Sequence, residues 1–525
     1  MPTKHPLNQS STEATSRNGH GASPRALLHW LAHPGPSLSQ RVVHAGFWVF
    51  ALRGAERLLV LARVVILARI LAPQDFGLLG IALLTMASLD TLSKTGFGVA
   101  LLQKKGNITD YLDTVWTVQA CRGALEAMIL FLAAGYVADF FRAPAATPVL
   151  QVMAATSVIK GLTNVGIVYF QKDLEFSKYF VWQISRSITS VGVAIALALL
   201  FRSVWALVFG VLAGDLVALF VSYAIQPYRP RVRFEIRKAK ELFTFGRWVY
   251  VDSVVSFGGS QLDSAVLGRL LGPVSLGLYS MGSRMSSMLI REAERGFSTV
   301  AFPAYSKLQD ELPRLRLAFL RTVESTACMA FPMAVVLLLL AEDLVRVALG
   351  TEWLPAASAM KILALAGAAR SLIGINGALL KGVGRPRLDV QLNALLLAGM
   401  IAAIYPLTNL MGIAGSASAV LLAVGITLPF SFRYVTTILD IGAQELLGAL
   451  FAPLSISFAM MLVTLAAKQG FHTATFPALV AVAGLNLLVY IGMSHILWRR
   501  FKSGPVHVLI ALKSKGMVAD AGVRQ

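Results

Sequence analysis

The chain has 525 residues, of which 56% are hydrophobic and 14% are charged, and its mean hydropathy is +0.67. Soluble domains carry roughly 25% charged residues, so this composition excludes an ordinary soluble protein and predicts an integral membrane protein. The net charge of +20 suggests nucleic-acid binding at first, but the basic residues follow the loops between apolar segments, which is typical of membrane topology.

Residues that commonly build catalytic or metal sites are scarce. Cys121 and Cys328 both fall within apolar segments, so we expect packing residues and no disulfide framework. No histidine lies between His44 and His472, which excludes a histidine metal site in the apolar core. The sequence lacks a P-loop nucleotide motif, HExxH and GxSxG, and its predicted outer loops are short. We therefore expect no catalytic residues, no metal and no cofactor, in a protein that is not an enzyme.

Apolar segments of spanning length follow one another along the chain. A hydrocarbon core of about 30 Å needs about 20 helical residues. The sequence therefore predicts an all-α integral membrane protein with about fourteen transmembrane helices. The predicted helices are 47–71, 76–102, 113–138, 146–170, 179–201, 203–225, 242–271, 274–301, 317–340, 356–380, 388–407, 412–432, 446–467 and 476–498.

The first two predicted helices have a diverged copy, which the seventh and eighth form 200 residues later. The matched pairs include Trp48 and Trp248, Leu67 and Leu267, Arg69 and Arg269, Leu71 and Leu271, Pro73 and Pro273, Gly77 and Gly277, Leu78 and Leu278, and Phe97 and Phe297. The proline of each copy stands where the first helix must stop, and the glycine lets the second helix begin close by. Each copy therefore predicts an antiparallel helical hairpin.

Basic residues concentrate in every second predicted loop, and the densest run lies between Arg229 and Lys240. The positive-inside rule then places both termini in the cytoplasm. The run divides the chain into two six-helix halves of the same orientation, and the interface of such parallel repeats is the usual place for a substrate path. The predicted division is a disordered cytoplasmic tail (1–44), an amino-terminal lobe (45–226), a basic cytoplasmic linker (227–241), a carboxyl-terminal lobe (242–438), two further helices (444–498) and a cytoplasmic tail (499–525).

Charged residues at membrane depth cost at least about 2.5 to 3.5 kcal/mol each on insertion scales, so they should face a cavity or a partner. The first and eighth predicted helices each carry a narrow cationic stripe. The stripes consist of Arg53, Glu56, Arg57 and Arg63 in the first helix and Arg284, Arg291 and Arg295 in the eighth. The seventh helix adds Asp252 and Asp263. Further charges at this depth are Asp90, Lys94, Arg122, Glu126, Lys160, Arg186, Asp215, Glu324 and Arg370.

Two interpretations of these charges stay open. Internal ion pairs, such as Arg53 with Glu56 or Arg122 with Glu126, would give them a structural role. The excess of arginine over carboxylate on the two stripes instead favours an anionic ligand, because guanidinium groups bind phosphate through paired donors.

Several segments resemble one known family, the Wzx-like polysaccharide transporters of the multidrug/oligosaccharidyl-lipid/polysaccharide exporter superfamily. The resembling segments are 67–79, 169–176 (Tyr-Phe-Gln-Lys-Asp-Leu-Glu-Phe), 302–309 (Phe-Pro-Ala-Tyr-Ser-Lys-Leu-Gln), 350–355 (Gly-Thr-Glu-Trp-Leu-Pro) and 381–387. They are spread over residues 47–439, and the polar amino-terminal tail is not part of the pattern.

The resemblance implies two pseudo-symmetric six-helix lobes around a central cavity, plus two carboxyl-terminal helices, in the bacterial inner membrane. It also implies a substrate: oligosaccharide repeat units of exopolysaccharide, capsule or O-antigen on an undecaprenyl diphosphate carrier, translocated by alternating access. Substrate contact is then expected for Arg53, Arg57, Arg284, Arg291 and Arg295, and cation coupling for Asp252 and Asp263. The expected partners are this lipid-linked substrate, membrane lipid and polysaccharide polymerase or export machinery, without nucleic acid.

Other functions remain as alternatives. Within the same superfamily, a peptidoglycan-precursor flippase fits the chemistry equally well, whereas an arginine-rich cavity would repel the mostly cationic substrates of a multidrug exporter. An integral-membrane glycosyltransferase or polymerase would need catalytic carboxylates on longer outer loops, where the main acids are Glu342, Asp343 and Glu352.

Overall fold

The computed structural model describes residues 38–104, 108–470 and 475–501. All regular elements in these ranges are helical and no strand occurs in them, which confirms the predicted all-α class. The α-helices are α1 Leu38–Ile70, α2 Pro73–Ser93, α3 Phe97–Gln103, α4 Thr109–Phe140, α5 Ala146–Leu162, α6 Val168–Lys172, α7 Phe176–Phe201, α8 Val204–Ile225, α9 Ile236–Leu308, α10 Leu312–Ala348, α11 Ala356–Gly382, α12 Pro386–Leu439, α13 Ala443–Gly470 and α14 Phe476–Phe501. Residues 1–37 of the predicted amino-terminal tail and 502–525 of the carboxyl-terminal tail lie outside the described residues.

Nine helices of the described ranges are long and apolar enough to cross a membrane, or ten if α5 and the segment 165–172 form one bent span. The two helices with the cationic stripes, α1 and α9, are not among the nine that the described residues identify. The chain is therefore a multi-pass membrane protein, and fourteen spans stays a prediction.

Two predicted segments are broken where the sequence suggested continuous helices. The second predicted helix, 76–102, becomes α2 and α3, separated at Gly96, whose φ of 71° is favourable for glycine. The fourth, 146–170, bends by 63° after α5. At that bend the Asn164 side chain accepts a hydrogen bond from the Gly166 N–H at 2.9 Å, a local bond that competes with continued helix.

Two pairs of predicted helices instead run on without a loop. The seventh and eighth join as α9, which is interrupted at Gly272, where φ is 78°. The eleventh and twelfth join as α12, interrupted at Gly412 with a φ of 59°. Both glycines adopt left-handed backbone geometry, which other L residues rarely reach, so each helix changes direction without a separate loop.

The two hairpin copies pack against each other reciprocally. A Cβ atom added to Gly77 would lie 1.7 Å from the Pro273 carbonyl oxygen, and one added to Gly277 would lie 2.0 Å from the Pro73 carbonyl oxygen. Each repeated glycine therefore permits backbone contact with the repeated proline of the other half. A pair of equivalent residues that exchange contacts in this way indicates a pseudo-twofold relation between the halves.

The equivalent residues Arg69 and Arg269 also each contact the opposite half of the protein. The Arg69 Nε–H donates to the Ala348 carbonyl oxygen at 3.1 Å, at the end of α10 in the second half. The Arg269 guanidinium lies 5.2 Å from the centre of the Phe140 ring, at the end of α4 in the first half. One apolar core joins the halves here, with both Leu67 and Leu267 fully buried.

Candidate functional site

A cavity of about 1100 Å³ lies between the two halves. Helices α1, α2, α4, α5, α7 and α8 form one wall, and α9, α11 and α12 form the other. The reciprocal glycine and proline contacts stand at one end, where Phe76 and Gly277 line the cavity. The described lining includes six cationic and four acidic side chains, which gives an excess of two positive charges. They are Arg63, Arg122, Lys160, Arg186, Arg284 and Arg370, with Asp90, Glu126, Asp215 and Asp263.

The surplus positive charge lies where α1 faces α9. Arg63 and Arg284 line the cavity and are close enough to repel each other. Neither side chain forms an ion pair with any residue in the described part of the chain. Two uncompensated guanidinium groups at membrane depth can accommodate an anion with paired hydrogen bonds.

Asp263 is the acidic side chain in the described lining of the cavity wall that the second half forms, and two hydrogen bonds fix its orientation. The Tyr279 hydroxyl donates to its Oδ2 at 2.6 Å, and the Ser264 N–H donates to its Oδ1 at 2.7 Å. Tyr279 is fully buried, and Arg370 on α11 attracts the carboxylate electrostatically. The Asp263 charge is therefore balanced locally, which leaves the positive charge of Arg63 and Arg284 in excess.

The first-half wall carries two compact ion-pair groups. In one, Asp215 is only 3% exposed, and both Nε and Nη2 of Arg186 lie 2.7 Å from its Oδ1. The Lys160 ammonium is 3.8 Å from its Oδ2. In the other, Arg122 lies 3.2 Å from Asp90 and 3.4 Å from Glu126, which also accepts a hydrogen bond from Ser93. Charges on this wall are thus mostly neutralised within the protein.

The predicted site residues divide into three groups. Arg284 and Asp263 line the cavity as expected. Arg53 and Arg57 are on α1 but are not among the described lining residues of this cavity. The side chains of Asp252, Arg291 and Arg295 lie outside the described residues, although all three positions belong to α9.

Residues left out of the predicted site prove to line the cavity. Arg63 belongs to the predicted stripe on the first helix, and Arg122, Lys160, Arg186 and Arg370 were noted only as charges at membrane depth. Their signal in the sequence was a charge within an apolar segment. No group of three metal-ligating side chains occurs in the part of the chain that the structure describes.

Comparison with known proteins identifies the family. A model of the family described as polysaccharide biosynthesis protein matches residues 66–358, which is more than half of the chain. The chain belongs to this polysaccharide biosynthesis protein family. The match runs from the end of the first helix of the first hairpin through the second hairpin, and it includes the charged lining residues of the cavity except Arg63 and Arg370. The resemblance inferred from sequence is therefore confirmed.

Relatives of known name are similar over most of the chain. The lipopolysaccharide biosynthesis protein WzxC of Escherichia coli (strain K12) is 24% identical over 383 residues, which cover 72% of this chain and 76% of WzxC. The succinoglycan biosynthesis transport protein ExoT of Rhizobium meliloti (strain 1021) is 28% identical over 323 residues, or 61% of this chain and 65% of ExoT.

Solved structures of a flippase and of a multidrug transporter share the fold of this chain. The lipid II flippase MurJ in an inward closed conformation has a TM-score of 0.71 at 14% identity, covering 87% of this chain and 99% of that chain. An inward-facing multidrug resistance MATE family transporter has a TM-score of 0.58 at 14% identity, covering 74% and 96%. These likenesses confirm the transporter fold with its two halves around a central cavity.

Proposed function

We propose that the protein is a transporter that moves undecaprenyl-diphosphate-linked oligosaccharide units across the bacterial inner membrane for polysaccharide biosynthesis. The observation that carries this proposal is the surplus positive charge of Arg63 and Arg284 inside a cavity between two membrane-embedded halves. A diphosphate group has the complementary charge and accepts paired hydrogen bonds from guanidinium groups. The glycan-assembly roles in the names of WzxC and ExoT support the same substrate class.

The contacts between the two halves that close one end of the central cavity support alternating access. The Gly77 and Gly277 contacts bring α2 and α9 together at the end of the cavity that the positive-inside rule assigns to the outer face. The structure then corresponds to an inward-directed state, in which substrate enters from the cytoplasmic leaflet. Export would require these contacts to separate while the opposite end closes.

We assign diphosphate contact to Arg284 together with Arg63, the two guanidinium groups whose charge is in excess. Arg53 and Arg57 precede Arg63 on α1 by about 15 Å and 9 Å at the helical rise, toward the inner end, so in this proposal they attract the substrate on entry. In the same proposal Arg291 and Arg295, two and three turns after Arg284 on α9, extend the cationic path.

Cation coupling is proposed for Asp252 and Asp263. Asp263 supports the assignment because a carboxylate lining a transport cavity at membrane depth is a suitable site for a proton or a metal cation. A transport rate that is the same with and without proton and sodium gradients would refute this role.

The proposal includes the finer features of topology. Both termini lie in the cytoplasm, and the lobes 45–226 and 242–438 are joined by the basic linker 227–241. The last two helices, 444–498, are an addition to the two lobes. The protein carries no enzymatic activity, and polysaccharide polymerase or export machinery receives its product.

Reconstitution tests the function directly. Purified protein in liposomes is given a fluorescent undecaprenyl diphosphate oligosaccharide, and protection of the label from an outside reagent is followed with time. We expect protein-dependent translocation. If the liposomes instead show no lipid translocation but accumulate or extrude small organic cations, the protein is a multidrug exporter and the proposal fails.

A further inference from the structure

A second cavity of about 530 Å³ lies within the first half of the protein. It is formed by the break between α2 and α3, the bend after α5, and the facing surfaces of α4, α7 and α8. Its volume is within the range of roughly 300–1,000 Å³ that is typical of small-molecule sites. The cavity therefore exists because both predicted helices in this region are interrupted, at Gly96 and at Asn164.

The second cavity opens into the central one through a common set of charged residues. Both cavities are lined by Asp90, Arg122, Lys160, Arg186 and Asp215. Glu126 also pairs with Arg122, so these ion-paired groups comprise three cations and three carboxylates and carry no net charge as a set. The surplus charge that suits a diphosphate lies instead at Arg63 and Arg284, which line only the central cavity.

Paired charges of this kind suit a polyhydroxylated ligand. A sugar hydroxyl both donates and accepts hydrogen bonds, and here carboxylate acceptors lie beside guanidinium and ammonium donors. The side chains of Asp90 and Lys160 are each 52% exposed, so polar atoms remain accessible from the cavity. Lys94 adds a further donor on the wall of the second cavity.

An aromatic ring completes the lining. Trp182 lines the second cavity, and its indole N–H donates to the Ala218 carbonyl oxygen at 3.0 Å. The Tyr179 ring lies against it, with 5.6 Å between ring centres. The ring is thus fixed in position beside the paired charges. An apolar face next to polar groups matches a sugar ring, which has a C–H face and a hydroxyl edge.

We propose that the second cavity is the saccharide subsite of the substrate path, occupied by sugar residues while the diphosphate stays near Arg63 and Arg284. This inference rests on the proposed function and adds an orientation to it. The lipid-linked substrate extends its glycan into the first half, and residues of α4, α5, α7 and α8 recognise the sugar.

Two cysteine reporters separate the two subsites in the full-length protein. Thr95→Cys and, as a second position, Gly98→Cys report on the saccharide subsite, since both line the second cavity and an added Cβ at Gly98 meets nothing within 4 Å. Ser287→Cys reports on the central cavity. All are made in a Cys121→Ser background, because Cys121 is exposed and Cys328 is buried.

Labelling by a water-soluble methanethiosulfonate reagent is measured with two probes. One is undecaprenyl diphosphate alone, and the other is lipid-linked oligosaccharide extracted from cells that naturally contain this protein. At ten times its dissociation constant a ligand occupies about nine-tenths of the sites, so protection slows labelling about tenfold. We expect the bare diphosphate to protect only Ser287→Cys and the lipid-linked oligosaccharide to protect every reporter.

Each of the other outcomes would contradict a specific part of the proposal. If the oligosaccharide lipid protects Ser287→Cys but neither second-cavity reporter, the saccharide subsite is wrong and the proposed function stands. If bare undecaprenyl diphosphate protects the second-cavity reporters equally well, the cavity binds the diphosphate and not the sugar. If neither probe protects any reporter, the proposed function itself fails, and the subsite with it.

Discussion

Alanine in place of Gly77 is expected to open the closed end of the central cavity. The added Cβ would lie 1.7 Å from the Pro273 carbonyl oxygen, which is 1.7 Å short of the 3.4 Å at which ordinary contact begins. Neither atom is at the end of a flexible side chain, so α2 and α9 must separate. Overpacking of this kind costs typically 1–3 kcal/mol, whereas the higher helix propensity of alanine applies equally whether or not the two halves touch.

The strain applies only to the state in which the two halves touch, and we take about 1–2 kcal/mol, the lower part of that range. Such a change corresponds to a factor of about 5 to 30 in an equilibrium constant. Gly277→Ala should act in the same direction, because its Cβ would lie 2.0 Å from the Pro73 carbonyl oxygen. Gly80→Ala is the matched control on α2, since its Cβ would make an ordinary contact of 3.5 Å with Leu276.

The assay follows a thiol at the closed end. Leu71 is 2% exposed, so Leu71→Cys should react slowly with a water-soluble reagent in the otherwise native protein with Cys121→Ser. We expect labelling to accelerate about 5- to 30-fold with Gly77→Ala and to stay unchanged with Gly80→Ala. Equal labelling rates for the two alanine variants would refute the reasoning that direct contact between the repeats holds this end shut.

Two further predictions concern polar contacts. Arg186→Met should lower the melting temperature more than Asp215→Asn does. Arg186→Met leaves the Asp215 carboxylate, which is 3% exposed, with only Lys160 nearby, whereas Asp215→Asn leaves Arg186, which is 36% exposed and stays hydrated. Breaking a buried pair costs roughly 3–5 kcal/mol, and equal melting temperatures for the two variants would contradict this asymmetry. Burial, and then the hydrogen bond and charge of Asp113, raise the pKa of Tyr228. The protonated phenol therefore contributes stability that is present below about pH 10 and is lost as the pH rises further, so Tyr228→Phe should flatten the alkaline fall in melting temperature, and an unchanged fall would count against it.

The hairpin repeat was predictable from sequence, but the contact between its copies was not. Matching residues at a fixed spacing show that two segments have similar structures. They do not indicate which surfaces touch. Gly77 was interpreted as a residue that lets a helix begin near a turn, whereas the structure places it against Pro273 of the other half. That role depends on the arrangement of the halves, which single-segment patterns do not contain.

The charged lining was predictable as a set of residues, but not as a set of partners. Arg186 and Asp215 are 29 residues apart and lie on different helices, so their bond follows from the packing of α7 against α8. The helical period placed Arg53, Arg57 and Arg63 on one face of α1, yet only Arg63 lies at the depth of the central cavity. Periodicity gives the face of a helix, while the depth at which a cavity opens is a tertiary property.

Translocation of a fluorescent undecaprenyl diphosphate oligosaccharide by Arg284→Gln protein in liposomes tests the central claim most directly. Hydrogen bonds to charged groups contribute about 1.5–3 kcal/mol, so loss of this guanidinium should slow translocation by roughly tenfold or more. Arg346→Gln, at an exposed arginine near the end of α10 and outside the cavity lining, is the matched control and should transport normally. Translocation by Arg284→Gln at the native rate would contradict a diphosphate site in the central cavity.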